Sequence, residues 1–336
     1  MNRKGRPEYS RAFARQVGVA ALLLLGASAT FAPQASAQSY PARPVRIVVP
    51  AAPGGGLDLV ARIVAQKLTE AWPHPTVVEN RPGANFIVGT DMVAKAAPDG
   101  YTLIIAPSVA FSINPSVFPD LPYRPERDFA PVSLLTNNPF ILLVNNAVPA
   151  NNVQEFITHL KANPGKLNHA SNSASTMLIS ELFKSVSNVE YADINYKGGV
   201  LAAAATAAGE TQFCFVDLGS ATAPMKGGRV RGLAVTTTQR YKLRSDIPTL
   251  SEAGVQGAAA AAWVVMAAPA RTPAEIVAKI NADAARGLAA PDVAPRMESL
   301  GSEIVASSVA EAADALRTDT EKWAKLVRER NIKFQR

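Results

Sequence analysis

The sequence is poor in the residue types that build covalent and metal-centred sites. Cys214 is its only cysteine, so the chain has no intramolecular disulfide and no cysteine-based metal cluster. Its three histidines, His74, His159 and His169, stand apart, and no His-x-x-x-His motif or carboxylate cluster indicates a metal site. Because Cys214 lies in the apolar run Phe213–Val216, we predict a buried structural thiol.

Signatures of catalysis and nucleotide binding are also missing. The sequence contains no Gly-x-Ser-x-Gly nucleophile elbow. The glycine-rich loop Pro53–Gly56 lacks the Gly-Lys-Ser of a P-loop and does not spell Gly-x-Gly-x-x-Gly. One enzymatic alternative stays open, an exported serine hydrolase in which His169 pairs with Ser171 or Ser173. A surface or polar-core role for His169 is favoured, because such pairs are rarely catalytic.

The net positive charge of the chain is small once the first 37 residues are set aside. The whole chain has a formal charge of +7, but residues 1–37 hold five basic residues and one acidic residue, which leaves +3 for the rest. Basic residues, the apolar run Val17–Leu25 and the small residues Ala35–Ala37 predict a secretory signal peptide cleaved near Ala37. An uncleaved anchor is the alternative, although the run is short for a membrane span. We therefore expect a periplasmic protein without a nucleic-acid partner.

Length and segment order indicate an α/β protein. With 336 residues and 48% hydrophobic content, the chain is long enough for two domains. Strand-like runs at Ile47–Val49, Thr76–Glu79 and Tyr101–Ile105 alternate with helical patterns, which predicts parallel sheets whose ligands bind at the carboxyl ends of strands. Pro107–Pro131 is predicted to be mostly loop, and the chain after Ala274 to be mostly helical.

The chain is organised around a strand, a glycine turn and a helix at Val45–Arg62. Pro53–Gly56 follows the strand, and a helical pattern begins at Asp58. Free backbone N–H groups and the positive end of a helix dipole together form an anion site; the alternative is a tight βα turn. The same order recurs at Ser171–Thr176, where hydroxyls replace the glycines. Two such helix N-termini can hold a carboxylate without an arginine.

Ordered motifs run through the whole chain after the predicted signal peptide. They are Val48–Pro50 with Pro53–Gly55, Val78–Ala84, Ala97–Leu103, Ser112–Pro115, Tyr196–Gly199, Gly232–Thr236, Pro248–Gly254 and Ala268–Pro273. The set resembles the Bug/TctC family, the extracytoplasmic solute receptors of tripartite tricarboxylate transporters. The resemblance implies a periplasmic-binding-protein (Venus-flytrap) fold of two domains, each a mostly parallel sheet flanked by helices. It further implies a monomeric receptor, not an enzyme, that needs no cofactor, captures a small organic acid and delivers it to membrane permease subunits.

The resemblance also places the domains and the ligand. Domain 1 is expected at residues 38–141 plus 263–336, and domain 2 at residues 142–262. The ligand-binding residues are expected to be Ala51, Pro53, Gly54, Gly55, Gly56, Leu57, Asn85, Phe86, Ser108, Ser171, Asn172, Ser173, Ser175, Thr176 and Asp217.

Several of these positions depart from the family pattern. Ala51 stands where the family usually has an aromatic residue, Leu57 where it has Ser or Thr, and Asn85-Phe86 where it has two glycines. The loop at Ser171–Thr176 is shorter and lacks glycine. These changes predict an altered ligand preference, with Leu57 and Phe86 favouring an aromatic or aliphatic acid. A drifted paralogue with weak binding and a sensor or docking receptor without transport are the alternatives.

Two carboxylates near the predicted site have structural alternatives. Asp58, in the first turn of a helix, is predicted to be a capping residue, because a carboxylate there would repel an anionic ligand. Asp217, at a strand end, fits two roles equally well: it either accepts a ligand amino group or bonds to nearby loop amides.

Overall fold

The computed structural model describes residues 40–260 and 262–332. The predicted signal peptide, residues 1–37, lies outside these ranges. The helices of the described chain are α1 (Gly56–Ala71), α2 (Ile87–Ala94), α3 (Asn114–Val117), α4 (Pro125–Asp128), α5 (Val153–Ala162), α6 (Ala174–Ser187), α7 (Gly199–Ala208), α8 (Leu218–Lys226), α9 (Ala274–Leu288), α10 (Val293–Ser299) and α11 (Val309–Glu329).

The first of two sheets contains strands from both ends of the chain. Its strands are β1 (Val45–Val49), β2 (Thr76–Asn80), β3 (Thr102–Pro107), β4 (Phe129–Asn137), β10 (Trp263–Pro269) and β11 (Glu303–Ile304). They lie in the order β11-β4-β10-β3-β1-β2. The β1 strand pairs in parallel with β2 and β3, while β10 runs antiparallel to β3 and β4. The apolar residues of β1 are covered on both faces, as is typical of a parallel sheet flanked by helices.

The second sheet is built from the middle of the chain. Its strands are β5 (Phe140–Asn145), β6 (Asn168–Ser171), β7 (Ala192–Asn195), β8 (Phe213–Asp217) and β9 (Val230–Val235), in the order β7-β6-β8-β5-β9. The β6 strand is parallel to β7 and β8, and β5 is antiparallel to β8 and β9. The predicted α/β class with parallel strands is therefore confirmed, with antiparallel strands added where the chain crosses between the sheets.

Two connections join the sheets, and both lie at the same end of the strands in each sheet. The first runs from the end of β4 at Asn137 to the start of β5 at Phe140, and the second from the end of β9 to Trp263. Phe140 pairs with Asp217, the last residue of β8. Both connections therefore lie at the carboxyl ends of the parallel strands, where ligands bind in open α/β sheets.

Contacts on both sides of the connections show which strand ends oppose one another. After β3, a π-helical turn at Val109–Ile113 packs against α6, which follows β6, and its residues share one apolar cluster with Leu178 and Ile179. On the other side, Lys242, which follows β9, pairs with Glu303 of β11 at 3.4 Å. The ends of β1, β2 and β3 therefore oppose those of β6, β7 and β8. We call the space between these two edges the cleft.

The segment Pro107–Pro131, predicted to be mostly loop, is about half helical. It contains the π-helical turn, α3 and α4 before β4 begins at Phe129. Its prolines cause the misprediction, because Pro115 and Pro125 stand in the first turns of α3 and α4, where proline costs no hydrogen bond. The helical prediction after Ala274 is confirmed, apart from the two-residue strand β11.

Candidate functional site

The predicted site residues all lie in or immediately after strands that end at the cleft. Residues 51–57 follow β1, residues 85–86 follow β2, and Ser108 follows β3. In the second sheet, residues 171–176 span the end of β6 and the start of α6, and Asp217 ends β8. These groups of residues lie up to about half the chain apart in the sequence. The fold of the two sheets brings them together at the cleft.

The glycine loop before α1 is held by a buried carboxylate. Asp58 accepts hydrogen bonds from Gly54 N at 2.8 Å, Arg62 Nε at 2.8 Å and Asn80 Nδ2 at 2.9 Å. Asn80 Nδ2 also donates to Ala51 O at 3.0 Å. Burial raises the pKa of Asp58, but the hydrogen bonds from Arg62, Gly54 and Asn80 lower it by more, and the net pKa is below its usual value. The structural role predicted for Asp58 is confirmed.

The first turn of α1 is open towards the cleft. Gly54 has a φ of 82°, so the turn needs glycine there. Gly55 is the N-cap, with extended backbone angles and no side chain that could bond to the first-turn N–H groups. Gly55 and Gly56 are exposed, and Leu57 is half-buried. The backbone N–H groups at the positive end of this helix are therefore available to an anion.

The loop after β2 has an unusual left-handed backbone. Ala84, Asn85 and Phe86 have φ values of 45°, 51° and 70°. Their carbonyl oxygens accept hydrogen bonds from Ile87 N, from Asn114 Nδ2 at 2.9 Å, and from Thr90 Oγ1 at 2.7 Å, respectively. Non-glycine residues in this region cost about 1 kcal/mol or more each, and such strain clusters at binding sites. The turn leaves Asn85 exposed and Phe86 half-buried against two apolar clusters.

Ser108 links the end of β3 to β10. It is buried, and its N–H donates to Trp263 O at 2.8 Å, which ties the π-helical turn to the second connection between the sheets. Ser112 Oγ lies 3.0 Å from Ser108 O and 2.8 Å from Asp319 Oδ2, so its one proton is placed between these two acceptors. In this arrangement Ser108 is an anchor of the π-helical turn at the back of the cleft.

The serine-rich loop caps its own helix. Ser173 and Thr176 form a capping box at the start of α6, in which Ser173 Oγ accepts from Thr176 N and Thr176 Oγ1 accepts from Ser173 N. Ser171 is buried, and Asn172 Nδ2 donates to Phe215 O at 3.4 Å. Ser175, within the first turn, is half-buried. The α6 terminus thus offers a ligand fewer unengaged donors than the α1 terminus.

Sequence reasoning left the start of α7 out of the site. Gly198, with a φ of 112°, is its N-cap, and a glycine cap has no side chain. Gly199 lies against the neighbouring helix, because a Cβ added there would be 2.6 Å from Ser220 Oγ and 3.1 Å from Asp217 Oδ2. The motif Tyr196–Gly199 is evident in the sequence. Its two glycines before a helical pattern resemble Pro53–Gly56 and could have indicated a second open helix N-terminus.

Asp217 is an exposed N-cap residue. Its Oδ1 accepts from Ser220 N at 3.0 Å, and its Oδ2 accepts from Ser220 Oγ at 2.9 Å. Of its two predicted roles, the structure places the carboxylate in hydrogen bonds with the first turn of α8.

His169 does not form a catalytic pair with Ser171 or Ser173. It is fully buried, its Nδ1 lies 2.6 Å from Asp193 Oδ1, and its Nε2 accepts from Phe215 N at 3.4 Å. An Nε2 that accepts from a backbone N–H carries no proton, so the neutral ring donates from Nδ1 to Asp193. Burial lowers the pKa of His169, although the Asp193 carboxylate opposes this shift. The ring is a structural bridge between β6, β7 and β8.

We expect His169 to make the stability of the protein pH-dependent. Because its folded-state pKa lies below the unfolded value of about 6.5, the unfolded chain binds more protons just below that pH. The contribution of His169 to the free energy of unfolding should be complete above about pH 6.5 and should be lost as the pH falls below this value through the folded-state pKa. Urea unfolding over this range measures the slope. The His169→Gln variant should have a smaller slope, whereas His159→Gln, on the half-buried side of α5, should keep it; equal slopes in all three proteins would contradict the assignment.

Three further features concern the cysteine, metal-binding clusters and membrane-spanning helices. Cys214 is completely buried, and burial raises the pKa of its thiol to about 12, which confirms a structural thiol. Across residues 40–260 and 262–332, no group of three or more His, Cys, Asp or Glu side chains is placed to hold a metal ion. In the same ranges, no helix has the length and apolar character needed to cross a membrane.

Two α/β sheets joined by two connections, with open helix N-termini at the facing strand ends, define the architecture of a solute-binding protein. A family model described as "Tripartite tricarboxylate transporter family receptor" matches residues 60–332, and the chain belongs to this family. Protein BugT of Bordetella pertussis is 30% identical, over 92% of this chain and 96% of BugT. The Bug/TctC resemblance is therefore confirmed, and the family is one of solute-binding receptors.

Solved structures of similar proteins include two with organic acids. The Rhodopseudomonas palustris protein Rpa4515 with adipate is 30% identical (TM-score 0.73, covering 86% of this chain and 97% of that one). MatC from the same organism, with bound malate, is 30% identical (TM-score 0.71, 86% and 100%). The periplasmic binding protein BugD is 31% identical (TM-score 0.71, 88% and 100%). The solute-binding fold of the present chain is thus shown, and carboxylates are bound in its relatives.

Proposed function

We propose that this protein is a periplasmic receptor that captures a small organic acid in the cleft and delivers it to the membrane permease subunits of a tripartite tricarboxylate-type transporter. The observation that carries the proposal is the open N-terminus of α1, which faces the cleft behind Gly55 in a chain of this receptor family. Uncapped N–H groups and the helix dipole favour a carboxylate at this position. The acids bound by Rpa4515 and MatC support the same ligand class.

The proposal extends to the domains, the cellular location and the assembly. Each sheet with its helices forms one domain, at residues 38–141 plus 263–336 and at residues 142–262; the first boundary falls within β5. The two connections then act as the hinge, and a ligand favours the closed form only by the difference between its affinities for the two forms. Residues 1–37 direct export, and the receptor acts as a monomer that neither catalyses a reaction nor uses a cofactor.

Binding of organic acids is the direct test. Purified protein, unfolded and refolded to remove carried-over ligand, is heated with mono-, di- and tricarboxylates, amino acids and aromatic acids. An acid at one hundred times its Kd should stabilise the fold by about 2.7 kcal/mol, a shift that thermal denaturation resolves.

Three results would contradict the proposal or part of it. Well-folded protein that no acid stabilises would favour the drifted paralogue. Hydrolysis of an ester or amide that disappears in a Ser171→Ala variant would favour the hydrolase. A receptor that binds an acid, while uptake of that acid by cells does not depend on it, would instead be a sensor or docking receptor.

A further inference from the structure

The two carboxylates near the proposed site differ in their partners, because Asp58 is buried and paired with an arginine, whereas Asp217 has no ion pair within 4 Å among the described residues. Among the fifteen residues expected to bind ligand, Asp217 is the only one with a formal charge. Its carboxylate accepts two hydrogen bonds from Ser220 in the first turn of α8 and lies 3.1 Å from the position that a Cβ on Gly199 would take. The N-termini of α7 and α8 therefore already have a carboxylate beside them. Lys197, which precedes the N-cap of α7, is exposed, as Asp217 is, and is not among the residues expected to bind ligand.

Two exposed apolar side chains follow Gly199 at the start of α7. Val200 and Leu201, in the first turn of α7, are 70% and 53% exposed, and they are among the largest apolar exposures of the described chain. On the opposite edge of the cleft, Leu57 and Phe86 are half-buried and Phe86 is fixed by the left-handed turn. Exposed apolar side chains beside a cleft indicate a surface that contacts an apolar group.

We propose that the site takes a monocarboxylic acid with an apolar body, and that Asp217 excludes a second carboxylate. This inference rests on the proposed function and identifies the class of acid. The carboxylate of the ligand binds at the open terminus of α1, and its hydrocarbon part contacts the apolar edges. A second carboxylate would approach Asp217, and two negative charges in a cleft closed to water repel each other strongly. The preference then differs from that for the dicarboxylates adipate and malate found in Rpa4515 and MatC.

Matched pairs of acids test this preference. Hexanoate and adipate have the same carbon chain and differ in one carboxylate, and benzoate and terephthalate form an aromatic pair. Calorimetry on ligand-free protein should give at least tenfold tighter binding of the monocarboxylate in the pair that fits the cleft. Tighter or equal binding of the dicarboxylate would overturn the inference while leaving the proposed function intact. Tighter binding of 6-aminohexanoate than of hexanoate would also overturn it, because Asp217 would then hold an ammonium group. If none of the acids in the broad screen binds, the proposed function itself fails.

Asp217→Asn isolates the charge, since asparagine is as good an N-cap as aspartate and keeps the start of α8. The variant should bring the affinities for the dicarboxylate and the monocarboxylate about tenfold closer, by improving dicarboxylate binding. Asp314→Asn makes the same change in net charge on the exposed face of α11 and should leave the ratio unchanged. An unchanged ratio in Asp217→Asn would overturn the role of this carboxylate.

A separate variant tests the contact between the ligand and the exposed apolar residues at the start of α7. Val200→Thr keeps the shape of the side chain but replaces one methyl group with a hydroxyl, so it should weaken monocarboxylate binding severalfold. Val186→Thr, at an exposed position in the last turn of α6, is the matched control and should bind as the parent does. Equal binding by all three proteins would contradict the contact between the ligand and the first turn of α7.

Discussion

Replacing Gly55 with leucine is expected to weaken ligand binding by at least tenfold while the free energy of unfolding falls by no more than about 1 kcal/mol, the cost of exchanging a glycine N-cap for leucine. Gly55 has a φ of −76° and a ψ of 165°, which any residue adopts, and a Cβ there would meet only Ala52 O at 3.7 Å. The fold therefore tolerates a side chain at this position. The leucine would, however, occupy the place of a ligand carboxylate at the first turn of α1, so ligand binding should be lost. Calorimetry and urea unfolding of the same protein measure the two effects.

A substitution at Gly54 is the control, because there we expect an effect on the backbone conformation itself. Its φ of 82° makes the conformation unfavourable for alanine although the space around it is open. Gly54→Ala should lower the free energy of unfolding by about 1 kcal/mol. If Gly55→Leu destabilises the fold as much as it weakens binding, the glycines serve only the turn and the carboxylate site at α1 is wrong.

Asp58→Ala is expected to be the most destabilising of the substitutions considered, with a loss of about 3 kcal/mol in the free energy of unfolding. The change removes the acceptor of Gly54 N, Arg62 Nε and Asn80 Nδ2 and leaves a cavity beneath the loop. Because the loop would lose its geometry, ligand binding should fall as well. Chemical denaturation monitored by circular dichroism gives the stability, and calorimetry gives the affinity.

Arg62→Gln separates the ion pair from the buried hydrogen bonds. The Arg62 side chain is half exposed, so its pair with Asp58 is screened by solvent and Arg62→Gln should destabilise the fold far less than Asp58→Ala does. The lowered pKa of Asp58 also predicts that its contribution is complete above about pH 4 and lost as the pH falls through the folded-state pKa. Equal losses in Asp58→Ala and Arg62→Gln would mean that the ion pair, not the loop, carries the stabilisation.

The central part of the site was predictable because short-range rules govern it. A β-branched strand, a Pro-Gly-Gly-Gly turn and a helical pattern specify the geometry at Val45–Arg62 with little help from distant residues. The same holds for the structural role of Asp58, since an acidic residue in a first helical turn bonds locally. The non-catalytic role of His169 was also predicted, because a histidine close to serines in the sequence rarely forms a catalytic pair with them.

Other features depend on distant partners, and sequence patterns did not reveal them. The left-handed turn at Ala84–Phe86 contains alanine and phenylalanine, which disfavour that backbone, and it persists because Asn114 and Thr90 hold its carbonyls. The capping box at Ser173 and Thr176 is an exception, because it is a local motif that the spacing of the two residues could have predicted. The contact of Gly199 with Asp217 and Ser220 arises only when α7 and α8 pack side by side.

The single buried thiol gives the protein a practical property. Cys214 is inaccessible, and burial raises its pKa to about 12, so maleimide dyes at neutral pH leave it unmodified in the folded protein. A cysteine introduced by Val200→Cys would stand 70% exposed at the edge of the cleft, if it adopts the exposure of the valine. One dye at that position would sense the polarity of its surroundings as the cleft fills. The native chain is thus already the background for a single-label fluorescent sensor of its own ligand.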